Sequence, residues 1–191
     1  MPQGGVSKST DAGEHWSEYR SGTVLAIDPM DPDTVYGPGS EKGQDRLMRS
    51  RDAGETWVAI LKEYTYAVAV DPNNPNVIYT AVRRGISSSD VFKTTDGGLS
   101  WTSRRTVLAN FLTIDPEDSQ IIYIGTDRYG LYKSADGGQS WRGVGPSRDW
   151  VYSVTIDEEN PRIIYAATNS NGLYKSENRG ESWERLSTFA P

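Results

Sequence analysis

Apolar residues in this chain come in short runs, and the runs recur. Four of them close on an aspartate: Val24-Leu25-Ala26-Ile27-Asp28, Ala67-Val68-Ala69-Val70-Asp71, Phe111-Leu112-Thr113-Ile114-Asp115 and Val154-Thr155-Ile156-Asp157. They are too short for helices and are bounded by turn residues, so they read as strands. A Pro/Asn/Asp turn follows each: Pro29-Met30-Asp31-Pro32, Pro72-Asn73-Asn74-Pro75, Pro116-Glu117-Asp118 and Glu158-Glu159-Asn160-Pro161. Proline presets φ, and Asx side chains bond their own backbone, so these are turns with a mechanism. A second strand carries Val35-Tyr36, Ile78-Tyr79, Ile122-Tyr123 or Ile164-Tyr165. A third holds Leu47-Met48-Arg49, Val91-Phe92-Lys93, Leu131-Tyr132-Lys133 or Leu173-Tyr174-Lys175, and a fourth starts at a tryptophan.

Strands three and four are joined by one motif, Ser/Thr-x-Asp-x-Gly-x-x-Trp, which occurs five times. Its polar anchors are Asp11, Asp52, Asp96, Asp136 and, in the fifth copy, Asn178; its closing residues are Trp16, Trp57, Trp101, Trp141 and Trp183. The tryptophans are 41, 44, 40 and 42 residues apart. A repeat of that period means an array in which no unit buries its apolar face alone. Four short antiparallel strands per unit predict an all-β fold, a β-propeller of four-stranded blades. The expected layout is one domain over 1–191, with a half-blade at 1–20 and blades at about 21–62, 63–106, 107–146 and 147–188.

The motif reads as a structural clamp. A mid-turn carboxylate accepts backbone N–H groups that no strand partner satisfies, glycine permits positive φ, and the indole covers the turn. A fivefold repeat and the Asn178 variant favour a clamp over catalysis or calcium binding, because an amide still accepts hydrogen bonds but cannot act as a base. The chain starts at strand three (Val6-Ser7-Lys8) and stops after strand four (Trp183-Glu184-Arg185-Leu186). Both ends therefore supply the same half-blade, which predicts an incomplete ring. Three closures fit: a segment of a longer propeller, a ring completed by a second copy as a homodimer, or four closed blades with residues 1–19 appended.

Composition narrows the chemistry. There is no Cys and a single His15, so thiolate chemistry, multi-histidine metal sites and histidine-relayed nucleophiles are excluded, and neither a metal nor a cofactor is expected. A net charge of −6 disfavours nucleic acid as a partner. No apolar run is long enough to span a membrane as a helix, and the N-terminal residues carry no signal-peptide pattern.

The pairing of Ile/Val-Asp-Pro…Ile-Tyr with Leu-Tyr-Lys-Ser-x-Asp-Gly-Gly-x-Ser-Trp resembles the Asp-box (bacterial neuraminidase repeat) propellers over the whole chain. These include sialidases, xyloglucan-active glycoside hydrolases, the sortilin-type luminal domain and photosystem II assembly factors. The likeness runs to the xyloglucanase, sortilin and assembly-factor branch and implies a secreted or periplasmic protein. It speaks to fold rather than activity, since propellers host many functions.

On such a propeller the Asp-box and Asp-Pro turns share one face. The loops from strand four to the next strand one, and from strand two to strand three, share the other. The turn face is acidic. The loop face holds Arg46, Arg83, Arg84, Arg104, Arg105, Arg128 and Arg148, with Lys42, Lys62, Tyr64, Tyr129 and Trp150. Arginine with aromatics suits carboxylates, sugars or acidic protein segments. The expected function is therefore a binding or scaffolding module for a protein or polysaccharide, with Arg46, Arg83, Arg84, Arg104, Arg105, Arg128, Tyr129, Arg148 and Trp150 as binding residues. The alternative is part of a glycoside hydrolase. In the xyloglucanase-like family a Thr/Arg-Asp-x-Gly-Gly segment before strand three carries a catalytic Asp; Thr126-Asp127-Arg128-Tyr129-Gly130 resembles it and departs at Arg128-Tyr129, which makes Asp127 the candidate acid or base. Asp45, Asp90 and Asp149 are candidate second acids. The Phe-Arg-Ile-Pro segment of sialidases is absent.

Overall fold

A computed structural model describes residues 6–9, 11–19, 26–84, 88–146 and 148–187. The described residues form β-sheet and turns: one two-stranded sheet and four antiparallel four-stranded sheets. The two-stranded sheet pairs β1 (Val6–Lys8) with β2 (Ser17–Tyr19). Blade 1 follows as β3 (Ala26–Ile27), β4 (Val35–Glu41), β5 (Gln44–Ser50) and β6 (Val58–Leu61). Blade 2 is β7 (Ala67–Asp71), β8 (Asn74–Arg83), β9 (Ser88–Thr94) and β10 (Thr102–Val107). Blade 3 is β11 (Ala109–Ile114), β12 (Ile122–Thr126), β13 (Leu131–Ser134) and β14 (Arg142–Gly143). Blade 4 is β15 (Val151–Ile156), β16 (Ile164–Thr168), β17 (Gly172–Ser176) and β18 (Glu184–Ser187). Each is a meander in chain order, the β-propeller blade the repeat predicts. Val24 and Leu25, the expected start of strand one in blade 1, lie outside the described residues.

First strands pack side by side: β3 on β7, β7 on β11, β11 on β15. A blade between two others is covered on both faces, which is why β12 is buried along its whole length where a half-exposed strand would alternate. Three apolar clusters fill the three seams. Tyr36, Leu47 and Ile60 of blade 1 pack with Val68, Ile78 and Trp101 of blade 2. Tyr79 and Val91 of blade 2 pack with Leu112, Ile122 and Trp141 of blade 3. Tyr123, Leu131 and Val144 of blade 3 pack with Val154, Ile164 and Trp183 of blade 4. Each seam is thus a tryptophan-bearing face set against the Tyr/Leu face of the preceding blade.

Polar contacts fasten the same seams. The Tyr79 hydroxyl donates to Ser119 O at 3.2 Å, and the Tyr123 hydroxyl to Arg179 O at 3.0 Å. Trp101 Nε1 donates to Ile60 O at 2.9 Å and Trp183 Nε1 to Val144 O at 2.8 Å. At the blade 3–blade 4 seam Arg179 pairs with Glu117 and lies 3.4 Å from the buried Asp115 carboxylate.

All five motif turns share one bonding scheme. In the fourth, Ser134 Oγ donates to Asp136 Oδ1 at 2.8 Å and accepts the Gly138 amide at 2.8 Å. Asp136 Oδ1 accepts the Ser140 amide at 2.9 Å, and Oδ2 the Ser140 hydroxyl at 2.5 Å. Gly138 sits at φ +86°, where a side chain would be strained. In the fifth turn Asn178 Oδ1 accepts the Ser182 amide at 2.9 Å, while Asn178 Nδ2 donates to Ser182 Oγ at 2.8 Å. The amide reverses one donor–acceptor pair and keeps the turn.

Candidate functional site on the loop face

First strands run from the loop face to the turn face, so β7, β11 and β15 begin side by side on the loop face. The residue five positions before each strand-closing aspartate is Tyr66, Asn110 and Tyr152 in turn. Two of these are pushed out by β-bulges. Ala109 pairs with Thr126 and Phe111 with Gly125, which leaves Asn110 unpaired. Val151 pairs with Thr168 and Ser153 with Ala167, which leaves Tyr152 unpaired. A bulge bends its strand and re-aims the extra side chain.

Each of the three meets the residue four positions beyond its blade's Ile-Tyr tyrosine. Arg83 stacks over the Tyr66 ring, 4.6 Å from its centre. Asn110 Nδ2 donates to Asp127 Oδ1. The Tyr152 hydroxyl donates to Asn169 Oδ1 at 2.6 Å. A cross-blade bond joins the first two pairs, because Arg83 donates to Asn110 Oδ1 at 2.8 Å. The Asn110 amide is therefore oriented by a cation on one side and a carboxylate on the other.

Aromatic pairs flank this polar centre. Tyr64 and Tyr66 meet edge to face at 5.1 Å, each 41% exposed. Trp150 and Tyr152 lie 5.1 Å apart at 30°, exposed by 39% and 51%. Beside the tyrosines opens a cleft of about 480 Å³ lined by Arg46, Lys62, Tyr64, Tyr66, Val82 and Arg83, together with Gln44, Asp45 and Glu63.

The Trp150 loop is held by Asp149. That carboxylate is buried and accepts the amides of Trp150, Ser170 and Asn171 together with Asn171 Nδ2. Burial pushes its pKa up, but the hydrogen bonds from Asn171, Trp150 and Ser170 more than offset this and hold it low. Asp149 is accordingly an anionic anchor, unsuited to donating a proton at neutral pH.

The other sequence-predicted residues are dispersed. Arg84 is clamped by Glu63 and Asp90 at 2.8 Å each, and those hydrogen bonds raise its pKa. Arg46 is buried and donates to Asp45 O and Gln44 Oε1. Arg104 is exposed on β10, an outer strand remote in topology from the first strands; the Arg105 side chain lies outside the described residues. Arg128, Tyr129 and Arg148 are exposed in the loops around Asp127 and Trp150. Sequence reasoning missed Tyr66, Asn110 and Tyr152. Their shared position in the repeat was the available signal. Among the described residues, Asp11, Glu14 and His15 are the one acidic–histidine group close enough to share an ion, and all three are exposed side chains of the first turn.

The chain resembles named carbohydrate enzymes. It is 26% identical over 176 residues to a xyloglucanase of Paenibacillus sp, covering 68% of this chain and 17% of that protein. It is 29% identical over 150 residues to the xyloglucanase Xgh74A of Acetivibrio thermocellus, covering 63% of this chain and 17% of that protein. The chain thus spans about one sixth of the length of these relatives. Among solved structures, the GH74 enzyme of Niastella koreensis superposes with a TM-score of 0.75 at 22% identity, over 95% of this chain and 34% of that one. YCF48 bound to D1 peptide superposes with a TM-score of 0.59 at 15% identity, over 94% of this chain and 59% of that one. These are likenesses of fold. No family model matches the chain.

Proposed function

We propose that this chain is a polysaccharide-binding propeller segment that holds a neutral β-glucan of the xyloglucan kind across the inner rim of its loop face. The observation that carries this reading is the alternation along three adjacent first strands: an aromatic pair at β7, an amide–carboxylate–guanidinium centre at β11, an aromatic pair at β15. A sugar ring has flat C–H faces and a rim of hydroxyls. Exposed Tyr and Trp offer an apolar surface with a polar edge, and a few convergent polar groups fix orientation. The substrate class comes from the relatives named xyloglucanase. On the same grounds the five turns are read as Asp boxes, whose role in this chain is mechanical.

A second reading, hydrolysis, is favoured by the Asn110–Asp127 contact and by those relatives' names. Asp127 would be the acid or base. Two carboxylates roughly 5–10 Å apart are required. Asp149 is saturated and Asp90 is paired with Arg84, so the second carboxylate would be Asp45 or would lie outside this chain. The test is to incubate the chain and its Asp127→Asn variant with xyloglucan, measuring retention on a polysaccharide gel and release of reducing ends. Retention without release supports the binding module. Release abolished in the variant supports the enzyme. Neither retention nor release overturns both.

A further inference from the structure

The cleft beside the tyrosine pair carries positive charge that a neutral polymer does not use. It encloses about 480 Å³ between blades 1 and 2, with walls from β5, the β6–β7 connection and the end of β8. Three cations line it: Arg46, Lys62 and Arg83. Arg46 is only 9% exposed. Its Nη1 and Nη2 donate to neutral acceptors, Asp45 O at 2.9 Å and Gln44 Oε1 at 2.6 Å. Its buried Nε has no hydrogen-bond partner and lies 3.8 Å from Glu41 Oε2. A charge so far out of water calls for a close counter-charge, and among the described residues none lies at hydrogen-bond distance. Arg83 donates to Asn110 Oδ1 and lies over Tyr66, which leaves further N–H groups of its guanidinium available. The Lys62 side chain is exposed and bonds no described residue. Of the lining carboxylates, Glu63 is held through both oxygens by Arg84 at 2.8 and 3.0 Å, so Asp45 alone opposes an incoming anion.

We infer that this cleft is a subsite for an acidic sugar, a hexuronate carried as a branch or end residue of the glycan on the rim. The exposed rings of Tyr64 and Tyr66 give the pyranose an apolar wall. Arg83 and Lys62 receive the carboxylate, with the Arg46 charge in the wall behind them. A guanidinium matches a planar carboxylate through two parallel N–H bonds. The aromatic wall favours a sugar over an acidic peptide, whose carboxylates arrive on flexible stems with no ring to stack. The subsite rests on the loop-face reading for the polymer and goes beyond it in the charge of the sugar.

NMR titration of the intact chain with methyl β-D-glucuronide, and with methyl β-D-glucoside as the neutral control, tests it. The glucuronide is expected to bind saturably and roughly tenfold or more tighter than the glucoside, the effect of one or two charge-assisted hydrogen bonds. Its largest shifts should fall at Lys62, Tyr64 and Arg83, and the preference should shrink as salt rises. Lys62→Gln, at an exposed site and checked for folding by circular dichroism, should lose most of the preference, and Lys62→Arg should keep it. Equal affinity for the two glycosides overturns the proposal. So does a preference that survives in Lys62→Gln, or a hexaglutamate peptide that binds as tightly as the glucuronide. Neutral xyloglucan, titrated alongside, separates the two readings. Xyloglucan bound without a glucuronide preference removes the acidic subsite alone, whereas failure of every sugar removes the glycan reading with it.

Discussion

Trp183 donates its indole N–H across the blade 3–blade 4 seam to the carbonyl of Val144, 39 residues earlier, at 2.8 Å. Trp101 makes the same bond to Ile60, 41 residues earlier, at 2.9 Å. In these two turns the motif is thus a latch between blades as well as a local clamp, whereas the Trp141 indole packs into its seam without such a bond. Trp183→Phe keeps most of the apolar contact and loses the bond, and should cost about 1 kcal/mol. Trp183→Ala should cost about 2–4 kcal/mol, slightly less than a fully buried site because the ring is partly exposed. Urea unfolding checks both, and an unchanged midpoint for Trp183→Ala would remove the latch from the account.

Acid should loosen the turns in a defined window. The Thr56 hydroxyl and amide hold Asp52 down at about 2 from its usual 3.8, and the Ser140 hydroxyl and amide do the same for Asp136. Asp96 is also held low, chiefly by the Ser100 hydroxyl. A folded-state pKa below the unfolded one contributes stability that is present above the unfolded value and is lost as pH falls through the folded one. Thermal midpoints should therefore change little through these groups between neutrality and pH 4, then drop between about 3.8 and about 2. Asp136→Asn should fold, as the Asn178 turn does, and should show a shallower acid drop than the wild type.

Asp149→Ala removes the acceptor for three amides and one side chain at once. These donors are only part-buried, so leaving them unpaired should cost about 1 kcal/mol, the low end for a lost hydrogen-bond acceptor. The amides of Ser170 and Asn171 should lose protection in hydrogen exchange well before the strands of blade 4 do. Uniform protection across that loop would show that Asp149 does not anchor it.

A β-carbon on Gly125 would fall 1.9 Å from a Phe111 ring carbon and 2.8 Å from Val151 O. Gly125→Ala therefore has to displace either the ring or the start of β15. It should cost about 1–3 kcal/mol, the usual price of overpacking, as read from chemical denaturation.

The fold was legible because every level of the sequence agrees on it. Tryptophan spacing, Asp-Pro turns and short apolar runs bounded by turn residues all point to a four-stranded blade, and such agreement leaves few alternatives. The rim was less legible. Exposed arginines look alike in sequence, but Arg84 is locked between two carboxylates and Arg46 is buried, whereas Arg83 reaches across a seam to Asn110. Nothing in the residues 109–111 or 151–153 announces a bulge, which is a property of pairing register with β12 and β16. Asn110 and Tyr152 enter the site through those bulges, so composition and charge could not select them.

The most direct test of the loop-face reading is the affinity of the chain for xyloglucan, measured by titration calorimetry for the wild type and for Trp150→Ala. The account predicts saturable binding, weakened roughly tenfold or more in the variant by loss of one aromatic contact, with the thermal midpoint of the variant close to the wild type. An absence of wild-type binding, or equal binding by a folded Trp150→Ala, would contradict it.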